Sequence, residues 1–136
     1  MKREDIVLTA RSYMNVPYHH QGRNRWGVDC IGLAIAVCRD LGLGDFDFQN
    51  YSREPDGVTL LAEIEKHCTP VKNYKIGDLL VFKLKVLPQH CGIVTDLQEG
   101  FGLIHAYQTI GRVAEHNLTD WWTERIVAAY RLPGVK

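Results

Sequence analysis

Gly27-Val28-Asp29-Cys30-Ile31-Gly32-Leu33, continuing into Ala34-Ile35-Ala36-Val37-Cys38, decides how the rest of this chain is read. The stretch turns at Gly27 and then becomes apolar at nearly every position. A helix without a polar face belongs in the middle of a domain. The pattern predicts a central helix over 29–41, capped by Asp29 and ended by Gly42 and Gly44. Cys30 falls in its first turn, where the positive end of the helix dipole favours thiolate over thiol. A cysteine nucleophile needs that environment. The competing reading is a core cysteine that merely begins a helix, since cysteine is among the most buried residue types.

The chain has 136 residues, enough for one domain with a real core, and residues 1–136 are read as that domain. Lys and Arg total 16, as do Asp and Glu, so no charge excess points to nucleic acid or an anionic membrane as partner. Near the N-terminus the longest apolar run is Ile6-Val7-Leu8, too short for a signal peptide or a membrane span. Synthesis in the cytoplasm, without membrane insertion, is the expectation. The four cysteines, at 30, 38, 68 and 91, form no Cys-x-x-Cys pair. Cys30 and Cys38 on one helix would stand about 12 Å apart, beyond disulfide reach. Reduced thiols are expected, with neither a disulfide framework nor a metal or other cofactor. His19-His20 point opposite ways on an extended segment and have no second ligand pair at zinc spacing.

Outward from the central helix, Ile6, Val7, Ala10, Tyr13 and Met14 follow helical spacing over 5–14, and Pro17 stops that helix. Residues 18–27 read as a polar, glycine-punctuated loop able to wall a site. Residues 45–57 show no period. A third helix is expected over 58–67, with His67 as a C-terminal charge. Strand-like runs then follow at 79–82, 90–95, 101–107, 111–116 and 126–132, with a short helical segment at 119–124. Helices first and antiparallel strands afterwards is the order of an α+β fold.

A cysteine nucleophile needs a base, and the base needs an orienting partner. If residues 97–100 form a hairpin loop, Asp96 faces Phe101 and Gly92 faces His105. His90 and His105 then lie on one face as diagonal neighbours, about 7–8 Å apart, a gap two imidazoles can close. A slip of one residue would put them on opposite faces.

These residues together resemble a known family. Asp29-Cys30-Ile31-Gly32-Leu33, Gly77-Asp78-Leu79, His90-Cys91-Gly92-Ile93 and Ile104-His105-Ala106 resemble, in order, the motifs of the NlpC-type cell-wall cysteine peptidases. Pro17-Tyr18 followed by Gly22 is similar to the loop before that family's cysteine. The run 17–23 with 27–33 most resembles the branch encoded in phage tail operons. The resemblance implies a papain-like α+β fold, with the cysteine helix packed on a C-terminal antiparallel sheet. It implies Cys30 as nucleophile, His90 as general base and acid, and His105 as the residue orienting His90. Tyr18 would help bind the oxyanion or substrate, and Asp29 would cap the helix with a substrate amine as second partner. The implied substrate is the peptidoglycan stem peptide, cut between γ-D-glutamate and the diamino acid. Ile31 departs from the pattern, because relatives often carry serine there.

With no wall-binding module in view, the expected partners include a phage tail or secretion apparatus that carries the protein to the cell wall or periplasm. A non-enzymatic tail-assembly domain and an amidase or acyltransferase using the same Cys-His pair are the alternatives. Arg23 and Arg25 read either as solvated or as partners for substrate carboxylates. Trp121-Trp122 read either as groove or as core, and His19 and His20 as possible edges of the cleft.

Overall fold

The first apolar stripe folds as α1, Arg3–Arg11, which buries Ile6, Val7 and Ala10. It starts two residues earlier than its spacing suggests and stops sooner. Residues 12–15 form turns instead, ending with Asn15 at φ 70°. This is a computed structural model describing residues 2–98 and 100–135. Arg3 ties α1 to the strand region by donating to Asp78 Oδ1 at 2.6 Å and to the Ile76 carbonyl at 3.0 Å. The Gly77-Asp78 motif therefore docks the first helix.

The loop before the cysteine contains a small antiparallel ribbon, β1 (Arg23–Asn24) with β2 (Gly27–Val28), which its polar composition did not announce. Next comes α2, Cys30–Asp40, with Asp29 as its cap as expected. All eight residues from Ile31 to Cys38 are buried. The third helix, α3, spans Thr59–His67. His67 does stand in its last turn, and its ring stacks on Phe46.

The remaining strands are β3 (Thr69–Pro70), β4 (Leu79–Leu84), β5 (Leu87–Leu97), β6 (Gly100–Tyr107), β7 (Arg112–Asn117) and β8 (Ile126–Arg131). The short α4 (Asp120–Thr123) precedes β8. They make one antiparallel sheet in the order β3-β8-β4-β5-β6-β7. Asp96 pairs with Phe101, the register expected from the sequence, while Leu97 pairs with Gly100 and so shortens the connection. β3 is new. Its two residues pair with the end of β8 and are too few to leave a pattern. The architecture is thus α+β, with α1 and α2 on one face of the sheet. Val81, Cys91, Ile93 and Ile104 join the helices' core there, while Leu80, Phe82, Val94 and Leu103 gather around Trp122 on the other face. Among the described residues, no helix is long and apolar enough to cross a membrane.

Arg23 holds the irregular segment 45–57 against the start of α2. Its guanidinium donates to Asp29 Oδ1 (3.2 Å), Asp47 Oδ1 (3.0 Å), the Phe48 carbonyl (2.9 Å) and the Tyr51 hydroxyl (2.8 Å). Arg25 by contrast lies outside, stacked on Tyr13 and bonded to the Ser12 carbonyl. Removing one partner of a buried charge pair leaves the other uncompensated. Arg23→Ala is therefore expected to lower the unfolding free energy by about 3–5 kcal/mol. Arg25→Ala should cost about 1 kcal/mol or less, as for an exposed pair. Urea unfolding of the two variants beside wild type checks this.

Candidate active site

The site begins at the start of α2. Asp29 is extended (φ −98°, ψ −172°), and its Oδ1 accepts from the Gly32 N–H at 2.8 Å. Its Oδ2 accepts from the Gln21 N–H at 2.8 Å and from the Tyr51 hydroxyl at 2.6 Å. With Arg23 added, the carboxylate accepts four hydrogen bonds and is 2% exposed. Asp29 caps α2 as the sequence predicts and also lines the cavity beside Cys30, where a substrate amine would be its second partner. Gly32 is required here, because a Cβ would stand 2.1 Å from the Gly22 carbonyl oxygen. The loop thus lies directly against the first turn and fixes where Cys30 points.

Cys30 is the half-buried cysteine, while Cys38, Cys68 and Cys91 are buried. Its thiol is pulled down to about 5, first by a hydrogen bond from Cys91 and also by a bond and charge attraction from His90, which together outweigh burial. Cys91 moves the opposite way, well above an ordinary thiol, because it keeps its proton to donate to Cys30 and is itself buried. Cys30 is thus the thiolate of the pair. Burial pushes Cys38 and Cys68 up to about 12, leaving them inert.

His90 Nε2 lies 2.6 Å from His105 Nδ1, so the two sequence-predicted histidines are brought together. Gly92 makes room between them. A Cβ there would meet Leu103 Cδ1 at 2.6 Å and His105 Cβ at 3.0 Å. With Nε2 taken, Nδ1 is the His90 nitrogen left for Cys30. His105 is fully buried and held down to about 2, chiefly by desolvation and then by the neighbouring imidazoles, so it stays neutral. The row continues to a residue that sequence reading passed over: His105 Nε2 lies 2.8 Å from His116 Nε2. Its only sequence signal was strand parity, because His116 pairs with Leu103 on the histidine face. Trp122, 8% exposed, packs over His90, His105 and His116 with ring centroids 5.8, 5.0 and 5.7 Å away.

Two cavities, of about 350 and 530 Å³, meet at Tyr18, Cys30, Gln89 and Gln108. The first is walled by the segment 50–57 and holds His20 and Ile31. The second holds His90, Tyr107, Lys85, Trp121 and Arg125. Tyr18, half-buried and beside Cys30 as expected, has its hydroxyl pushed up by burial and by the thiolate, so it stays a donor. Trp121 lines the groove while Trp122 is core, so each sequence alternative holds for one of the pair. His19 lies outside both cavities, its Nδ1 3.0 Å from the His20 carbonyl oxygen. Among the described residues, no group of three or more His, Cys, Asp or Glu side chains is placed to hold a metal ion.

A model of the NlpC/P60 family matches residues 15–131. The NlpC/p60 domain of the peptidoglycan hydrolase SagA is similar in structure, with 23% identity and a TM-score of 0.64 over 97% of this chain and 100% of that one. An NlpC/P60 family protein from Bacillus cereus shares 20% identity at a TM-score of 0.71, with 96% of this chain covering 40% of that one. An N-acetylmuramoyl-L-alanine amidase from Bacteroides uniformis shares 14% at 0.64, over 96% and 98%. At these identities the likeness is one of fold. Curated protein sequences give no match.

A thiolate alkylates and a thiol does not, so the rate of Cys30 modification follows its ionisation. Iodoacetamide is expected to label Cys30 before the other three cysteines, with a half-maximal rate near pH 5. Cys91→Ala and His90→Ala should each move that midpoint upward, because each removes a group that stabilises the thiolate. Peptide mass spectrometry across a pH series measures both effects.

Proposed function

The chain belongs to the NlpC/P60 family, and on that premise we propose that it is a cysteine peptidase hydrolysing amide bonds in the stem peptides of bacterial peptidoglycan. The observation that carries this reading is the half-buried Cys30 thiolate at a helix start, facing an imidazole oriented by a second, neutral one. Cys30 attacks the amide carbonyl. The developing oxyanion lies by the first N–H groups of α2, which precede the helix's own hydrogen bonds, with the Tyr18 hydroxyl beside them. His90 Nδ1 then protonates the leaving amine, giving a thioester, and takes a proton from the water that hydrolyses it.

The presence of His90 in the 530 Å³ cavity supports a reading of the two cavities. The leaving amine must collect its proton there, so the 530 Å³ cavity takes the leaving group and the 350 Å³ cavity the acyl part. Lys85 and Arg125 line the leaving-group side, and no carboxylate does among the described residues. That suits an amine bearing its own carboxylate, as a diamino acid does, and supports cleavage between γ-D-glutamate and the diamino acid. Likeness of the segments 17–23 and 27–33 to the phage-tail branch supports delivery to the cell wall by a tail or secretion machine.

Digestion of diaminopimelate-type peptidoglycan, with products identified by mass spectrometry, tests the proposal. Wild type is expected to release fragments with a new diamino acid N-terminus, and folded Cys30→Ala none. Release of intact stem peptides would instead make the protein an amidase. No product from wild type, despite a reactive Cys30, would favour a binding role.

A further inference from the structure

We infer that His116 is a positioning residue of this site, deciding through His105 whether the His90 nitrogen that faces Cys30 is free to take a proton; the inference rests on reading Cys30 and His90 as nucleophile and base. An amide side chain offers a donor and an acceptor on separate atoms, whichever way its neighbours are protonated. A neutral imidazole offers one proton, and whether a given nitrogen donates or accepts depends on its tautomer. His105 is such an orienter, so something must choose its tautomer.

The choice can be followed from one end of the row. His116 Nδ1 lies 2.8 Å from the Asn117 carbonyl oxygen. A carbonyl only accepts, so His116 carries its proton on Nδ1, and in the neutral ring Nε2 is a lone pair. His105 Nε2, 2.8 Å away, must then be the donor. Neutral His105 has no second proton, so its Nδ1 accepts, and at 2.6 Å it accepts from His90 Nε2–H. That leaves His90 Nδ1, the nitrogen toward Cys30, free to take the thiol proton. One backbone carbonyl therefore orders three rings.

Solvent does not compete along most of the row. His105 is fully buried, His90 is 4% exposed, and Trp122 covers all three rings. Water could donate to or accept from either nitrogen and would leave the tautomer undecided. In this buried arrangement the half-buried His116 is the member that connects the row to a fixed acceptor.

The test uses the full chain with 15N-labelled histidine and needs no substrate. Imidazole 15N shifts report which His105 nitrogen is protonated, and iodoacetamide alkylation of the Cys30 peptide reports the nucleophile. Wild type is expected to hold His105 as the Nε2–H form. His116→Ala should give a mixture of tautomers and raise the midpoint of Cys30 alkylation by about one pH unit, slowing the reaction at pH 5 on the order of 5-fold. His116→Gln, whose amide oxygen can accept from His105 Nε2, should restore both readouts to near wild type. An Nδ1–H form of His105 in wild type overturns the inference, as does an Ala variant with the tautomer and alkylation rate unchanged. Slowed alkylation in both variants with the His105 tautomer intact also overturns it, because packing alone would then explain the loss. If His116→Ala does not fold, the wild-type tautomer and the Gln variant decide. A wild-type Cys30 no more reactive than the other cysteines would overturn the site itself, a separate result.

Discussion

The buried carboxylate of Asp29 is the constraint from which the active half of the molecule follows. A charge 2% exposed is tolerable only if its acceptor positions are filled, and here a helix N–H, a loop N–H, a guanidinium and a phenol fill them. The donors come from three parts of the chain: the loop of residues 18–27, the first turn of α2 and the segment 45–57. Satisfying the charge therefore also caps α2, folds the loop of β1 and β2 against it and draws residues 47–51 over the top. Cys30 is the next residue and has no freedom of its own. Its placement is a by-product of solving one electrostatic problem.

The other half of the site depends on the pleat of the sheet. His90 and His105 face Trp122, while Cys91, one residue along β5, faces the helices. The alternation gives adjacent residues different surroundings: His90 among the rings around Trp122, and Cys91 as a thiol that donates to the Cys30 sulfur. Gly92 then leaves the diagonal between the histidines empty. A helix terminus and an interior strand, each folded for its own reasons, bring a thiol and an imidazole to one cavity where α2 meets β5.

What could be read from the sequence followed periodicity and pairing. The run 31–38 predicts its own burial, and the parity of residues 90 and 105 about a short hairpin predicts their meeting. Helix boundaries shifted where turn residues 12–15 took over from α1, because apolar spacing does not mark where a helix yields to turns. Arg23 was misread as solvated or substrate-facing because nothing local marks an arginine whose partners lie 6, 24 and 28 residues away. His116 was missed for a similar reason. Its role depends on the third strand of a register chain and on a backbone carbonyl, and neither leaves a motif. Long-range polar contacts are the part of a site that composition and spacing carry least.

Tyr51 and Gln21 tie the wall of the 350 Å³ cavity to the start of α2, with Gln21 donating to the Gln49 and Tyr51 carbonyls. Recognition and reactivity therefore share a scaffold. On the proposed reading, a segment that grips substrate from such a wall would pull on the same carboxylate that sets the sulfur, so ground-state affinity and turnover would be linked rather than separable quantities. For protein engineering, residues 45–57 do not form an exchangeable module. A transplanted loop would need its own phenol and carbonyls for Arg23, Gln21 and Asp29, or it would change the substrate and misplace the thiolate together.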